Sequence, residues 1–214
     1  MSLIASSSPS NPTATFRRGI KSEILEADST IVRIHHKNNG AIWFGPKPGV
    51  APAHRFDAPA AEYRMMYAAV AIEGAFVETI LHGKSGEQIV RRAYVDQRAW
   101  TEFATVRAFR LMKLYDEGLF WHGTDASISA MPSYSKSQQV ALAAFREGAD
   151  LDGVAYRSRH DNGELCIALF DRVTSSDLDV RRTQLFHEQP HICDSLMARY
   201  GAVYDTSPPV PPRP

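Results

Sequence analysis

Cysteine is nearly absent. The 214-residue chain holds two, Cys166 and Cys193, in no paired motif. That excludes a disulfide framework and a cysteine-based zinc site, and it fits a reducing compartment, so a cytoplasmic protein is expected. A surplus of one charge is missing as well. Lys and Arg number 24 and Asp and Glu number 24, for a formal net charge of zero. Direct nucleic-acid binding through many phosphate contacts would call for a basic surplus. No run approaches the roughly 18 uninterrupted apolar residues of a membrane helix, and Met1 to Thr15 lacks the basic start of a secretory signal. Neither a membrane span nor export is expected. G-x-G-x-x-G, the P-loop and G-x-S-x-G do not occur, so dinucleotide-fold, NTPase and α/β-hydrolase readings have no motif behind them.

One motif that is present misleads. His187-Glu188-Gln189-Pro190-His191 spells H-E-x-x-H, which binds zinc only where an unbroken helix sets both imidazoles on one face. Pro190 would remove a helix hydrogen bond and clash with the preceding turn, at about 3 kcal/mol or more. No Glu or His follows His191 to complete a ligand set. The segment reads instead as a turn running into a helix with Pro in its first turn, and no metal site is expected.

What is there is a globular domain with two unusual ends. Hydrophobic residues make up 44% and charged residues 22%, ordinary values for a chain long enough to bury its own core. Residues 1–15 are Ser- and Pro-rich with little to bury and read as a flexible arm. Residues 206–214 (TSPPVPPRP) hold five prolines and favour polyproline II, either as a solvated terminus or as a PxxP ligand for an aromatic groove. A single folded domain over residues 16–205 lies between them.

Within that domain the periodicity mixes strand and helix. Thr30 to His36 alternates β-branched residues, with Ile31, Arg33 and His35 on one face and Val32, Ile34 and His36 on the other; His35 and His36 are read as a surface strand end. Met65 to Val70 and Thr105 to Leu114 read as strands. Glu73 to His82 has helical length with Gly83 as its stop. Ser135 to Glu147 is a strong helix capped by Ser135 or Ser137, with Gly148 at its end. Gly153 to Ser158 and Leu165 to Phe170 form strands joined by a turn at Asp161, Asn162 and Gly163. Pro190 to Tyr200 is a last helix ended by Gly201. The fold class is α+β.

The residues with chemistry to offer are Arg33, His54-Arg55-Phe56-Asp57, Tyr67, Glu78 and Tyr156-Arg157-Ser158-Arg159. Projection at about 100° per residue puts Ile72, Phe76, Thr79 and Ile80 on one side of the helix and Val77 and Leu81 opposite, leaving Gly74, Glu78 and His82 as a narrow stripe. A carboxylate there lies on a solvated seam or on the floor of a cleft.

The order and context of these residues resemble the RES-domain family, named for Arg, Glu and Ser, toxins of type II toxin–antitoxin modules. The likeness runs from about Thr30 to Asp171. It is carried by V-R-I around Arg33, R-F-D at Arg55 to Asp57, M-Y-A-A-V followed by Glu78, Tyr134 followed by S-Q-Q-V-A-L-A, D-G-V-A-Y-R-S-R through Ser158, and C-I-A-L-F-D. Val32 departs from the aromatic that often precedes the Arg, and His54 from a common Asn.

The resemblance implies a single α+β domain with a mixed, largely antiparallel sheet similar to ADP-ribosyltransferases and helices packed around it. It also implies cleavage of the nicotinamide–ribose bond of NAD+, by water or by inorganic phosphate as co-substrate, with NAD+ as substrate and no resident cofactor. Glu78 would stabilise the oxocarbenium-like ribose, and Arg33 and Arg55 would grip the pyrophosphate with planar forks. Tyr67 would stack on the cationic nicotinamide ring, and Ser158 would hydrogen-bond its ribose or amide. Each residue has a structural alternative: an ion pair at a sheet edge for Arg33, a structural role for Arg55, a core position for Tyr67, a backbone-bonded hydroxyl for Ser158. The implied partner is a helix-turn-helix antitoxin that covers the pocket and binds the DNA; a homo-oligomer and a hetero-oligomer with that antitoxin both remain open. Transfer of ADP-ribose to a protein or nucleotide is the alternative chemistry, and an interaction module using the Pro-rich tail is the non-catalytic one.

Overall fold

A computed structural model describes residues 16–47, 49–82 and 88–205. The arm 1–15, the tail 206–214 and Gly83 lie outside the described residues. In chain order the elements are β1 (Ser22–Leu25), β2 (Thr30–His36), β3 (Met65–Ala69), α1 (Ile72–Thr79), β4 (Ile89–Arg91), α2 (Arg92–Val95), β5 (Arg98–Thr105), β6 (Phe109–Leu114), α3 (Glu117–Trp121), α4 (Ser127–Ala130), α5 (Ser135–Glu147), β7 (Gly153–Arg157), β8 (Leu165–Phe170), β9 (Leu178–Leu185), α6 (Pro190–Arg199) and β10 (Val203–Asp205). Eight strands form one sheet in the order β1-β6-β7-β8-β3-β2-β5-β9, and β10 and β4 form a small parallel pair. Every pairing in the large sheet is antiparallel except β6 with β7. The chain is therefore one α+β domain with a mixed, mostly antiparallel sheet, as expected.

Period-two alternation divides the core into two layers. Val32, Ile34, Trp100, Met112, Val154 and Phe170 face one way and meet Phe76 and Val77 of α1 and Ile80 just past its end, Val140 and Ala144 of α5, and Leu196 and Met197 of α6. Ile31, Met66, Phe103, Leu111, Ala155 and Leu169 face the other way, where Leu25, Ile42 and Phe44 pack over them. The helices thus crowd onto one face, and the site forms there.

Several boundaries differ from the sequence reading. Thr105 to Leu114 is not one strand: β5 ends at Thr105, and β6 starts at Phe109. Between them Arg107 is drawn aside by Asp152 and Asp177. The helix expected over Glu73 to His82 is shorter, Ile72–Thr79. Neither Ser135 nor Ser137 caps α5. Tyr134 holds the N-cap position without a side-chain cap, and Ser137 Oγ turns back to donate to the Tyr134 carbonyl at 2.9 Å. His35 is buried at 7% exposure, with Nε2 2.9 Å from Thr101 Oγ1. It is not a surface strand end, because β5 continues alongside β2 to His36. His187 and Glu188 lie in a 3-10 turn, and Pro190 opens α6, so no single helix carries the two imidazoles of H-E-x-x-H.

The parallel β6–β7 junction is pinned by Asp152. Its carboxylate accepts two N–H groups of Arg107, at 2.7 and 2.9 Å, and the backbone N–H of Arg110 at 2.9 Å. Asp152→Asn should lower the unfolding free energy by about 2 kcal/mol in urea titration. That is less than the loss of a fully buried pair, because the Arg107 side chain is 42% exposed. An unchanged midpoint would show the network to be dispensable.

Candidate active site

A cleft opens where two neighbouring strands stop pairing. β2 pairs with β5 along its whole length, from Thr30 to His36, yet with β3 only at Val32 and Ala69. Beyond that point β3 takes a substitute partner: Gly45 donates its N–H to the Met65 carbonyl at 2.9 Å and accepts the Met65 N–H at 2.8 Å. The gap is a cavity of about 370 Å³. Arg33 and Ile34 line it from β2, Met65 and Tyr67 from β3, and Glu78 from α1, with Arg55, Tyr134, Tyr156, His54, His82 and Trp43 around them. Four of the five residues singled out from sequence, Arg33, Arg55, Tyr67 and Glu78, therefore meet in one cavity.

Arg33 points across the gap, its Nη1 donating to the Tyr67 carbonyl at 3.4 Å, while its Nε is buried without a partner. Among the described residues it forms no ion pair. Burial pulls the guanidinium down to about 10, so it stays cationic at neutral pH. A desolvated cation without a counter-charge costs free energy until an anion arrives.

Glu78 is held from behind. Its Oε1 accepts the Ser158 hydroxyl at 2.6 Å and the Arg159 N–H at 3.1 Å. Ser158 Oγ in turn accepts the N–H groups of His160 at 3.1 Å and Asp161 at 3.3 Å. The turn that supplies these groups closes on Asp161, whose Oδ1 accepts the Gly163 N–H at 3.0 Å. Ser158 is fully buried and its hydroxyl has spent its donor and its acceptor capacity. It is the one singled-out residue that does not line the cavity: the geometry aims it at Glu78 rather than at a ligand.

The loop carrying Arg55 is locked by Asp57, which is fully buried and accepts the N–H groups of Ala53 and His54 at 2.9 and 2.8 Å. Asp57 also accepts the Tyr67 hydroxyl at 2.9 Å, and that hydroxyl accepts the Phe56 N–H at 3.0 Å. Burial, with Asp57 alongside, raises the Tyr67 phenol well above its usual range. The phenol is thus a strut, and the ring faces the cavity. Arg55 divides its work. Nη1 donates to the carbonyls of Ile128 and Met131 at 3.3 and 3.0 Å, and the guanidinium lies over the Tyr134 ring at 4.7 Å.

Sequence reasoning missed Trp43 altogether and noted His54, His82, Tyr134 and Tyr156 without giving them a role in the cavity. His82 shares the Glu78 stripe and Tyr134 sits in a matched segment, so both had a signal. Burial lowers the His82 pKa against the pull of Glu78, with His160, His54 and Arg55 also facing it. A larger cavity of about 480 Å³ lies between Phe16–Arg18 and Phe120–Thr124. It is lined by no carboxylate and by none of the residues singled out from sequence.

A model of the RES domain family matches residues 30–188, and the chain belongs to that family. No curated protein matches it by sequence. Among solved structures it is similar to a chain of the M. tuberculosis MbcT–MbcA toxin–antitoxin complex, with a TM-score of 0.64 and 15% identity, over 82% of this chain and 92% of that one. At that identity the likeness is one of fold.

The Ser158 geometry makes a prediction that needs no ligand. Ser158→Ala strips Glu78 of one donor and leaves two partly buried N–H groups without their acceptor, so it should destabilise the free protein by about 2 kcal/mol in thermal or urea unfolding. A residue serving only a bound ligand would leave the free protein unchanged.

Proposed function

We propose that this RES-domain chain is the toxin of a toxin–antitoxin module and acts by cleaving the nicotinamide–ribose bond of NAD+. The observation that carries the reading is one cleft holding a guanidinium, Arg33, that is unpaired among the described residues, and a carboxylate, Glu78, whose donors among them are a hydroxyl and a backbone N–H. NAD+ offers the complement: an anionic pyrophosphate and, at the glycosidic bond, a positive charge that becomes an oxocarbenium-like ribose. Cleavage breaks the bond from ribose C1′ to the ring nitrogen. The electron pair goes to nicotinamide, which leaves neutral and needs no general acid, unlike the leaving group of a typical glycosidase. Water or phosphate then forms the new bond to C1′, and water releases its proton. Glu78 stabilises the cation as it develops, with the effect enlarged by the low-dielectric walls. Arg33 and Arg55 hold the pyrophosphate, and Tyr67 presents its ring to the nicotinamide. Ser158 acts through Glu78. A helix-turn-helix antitoxin that covers the cleft is the partner that fits a neutral chain; the toxin–antitoxin complex among its structural neighbours supports that pairing.

Glu78→Gln keeps the shape and an oxygen to accept the Ser158 hydroxyl but removes the charge. NAD+ binding should largely survive while turnover falls about a hundredfold, near 3 kcal/mol, by analogy with the loss of one preorganised electrostatic group. A stable Glu78→Gln protein that consumes NAD+ at the parental rate overturns the mechanism. Arg33→Lys keeps the charge and loses the fork, so NAD+ loss measured in vitro should still drop at least tenfold, on the scale of one charge-assisted hydrogen bond. Full activity would return Arg33 to a structural role.

A further inference from the structure

The cavity wall contains a feature that the cleavage chemistry leaves unused. Trp43 lines the cavity with its ring laid against Gly45, so closely that a Cβ on Gly45 would sit 2.1–2.9 Å from three ring carbons of the indole. Gly45 is also the residue that replaces β2 as the partner of Met65. Its backbone lies outside the left-handed region, since its φ is not among the positive values, so bare space for the indole is what glycine supplies here. Trp43 is 41% exposed, whereas Glu78 and Tyr67 are half-buried. Trp43 therefore stands at the rim, and the groups meant for the reacting bond stand deeper.

We infer that Trp43 is a stacking platform for the adenine ring of the dinucleotide, held flat by the missing side chain of Gly45. This rests on the NAD+ reading above and adds to it the determinant that selects a dinucleotide over its nicotinamide half. A planar heteroaromatic ring stacks on indole without directional hydrogen bonds. The rim position suits the end of the substrate farthest from the glycosidic bond, because that end need not be shielded from water.

The test uses the full chain and three variants: Trp43→Leu, Gly45→Ala and the double. Gly45→Ala keeps Trp43 but evicts its ring; the obstructing atoms are the far end of a side chain, so the fold should survive, which thermal unfolding checks. Each single variant should raise the KM for NAD+ roughly tenfold to a hundredfold with kcat little changed, on the scale of base–aromatic stacking. The double should be no worse than either single, since both remove one interaction. As competitive inhibitors, ADP should weaken by the same factor and nicotinamide mononucleotide should not. Unchanged KM in Trp43→Leu, additive losses in the double, or equal weakening of both inhibitors would overturn the assignment. A wild-type chain that consumes no NAD+ would instead overturn the function on which it rests, so the two failures are distinct.

Discussion

The interrupted pairing of β2 and β3 is the constraint from which the site follows. Two strands adjacent in a sheet normally satisfy one another's backbone groups along their shared length. Here β2 meets β3 at one residue pair, while its other edge pairs with β5 along the whole strand. The unmet demand of β3 is partly answered by Gly45, which exchanges two hydrogen bonds with Met65, and partly by the Arg33 guanidinium, which donates to the Tyr67 carbonyl. A side chain from one strand thus reaches the backbone of the other across a gap. That places a cation inside the sheet layer, where a continuous ladder would have left no room.

The second element of the site is a carboxylate fixed without being neutralised. Asp152 and Glu78 both lie against β7, one at each end of the strand. Asp152 is gripped by the Arg107 fork and serves the fold. Glu78 is held by a hydroxyl and a backbone N–H, donors that orient it and leave its charge uncancelled. The distinction is physical: a guanidinium partner would stabilise the carboxylate more but would spend the field that a developing cation needs.

How much of this was legible in the sequence depends on the range of the interaction. Strands β2, β3 and β8 show as short apolar runs, because both their faces are buried, and helices α5 and α6 show in helical periodicity with recognisable ends. β9 does not. Five successive residues from Asp179 to Thr183 are exposed, since the strand is at the sheet edge and a bulge at Arg181 opposite Glu102 and Phe103 breaks its alternation. β1, β4 and β10 are too short to carry a period. In the site, Arg33, Arg55, Tyr67 and Glu78 were found through the order of the family motifs, and no local pattern showed that they converge. Ser158 was found by the same route, but its contact was misjudged, because only the fold reveals that the end of β7 stands behind α1. Trp43 was invisible: its place depends on the partner exchange at Gly45, a long-range event with no sequence period.

The edges and the cleft represent opposite treatments of the same hazard. Unpaired strand edges invite pairing with other chains, and this sheet blunts them with charge, brevity and a bulge: Asp179, Arg181 and Arg182 on β9, and a four-residue β1 carrying Glu23. Inside the sheet the unpaired stretch between β2 and β3 is left open but walled by aromatic rings and by α1. Arg33 and Glu78 stand in that space without pairing with each other. Had they met, the cleft would hold a satisfied ion pair and little reason to bind anything. Kept apart, one by its bond across the gap and the other by Ser158, they leave the cleft polarised and in want of a ligand that carries both signs of charge.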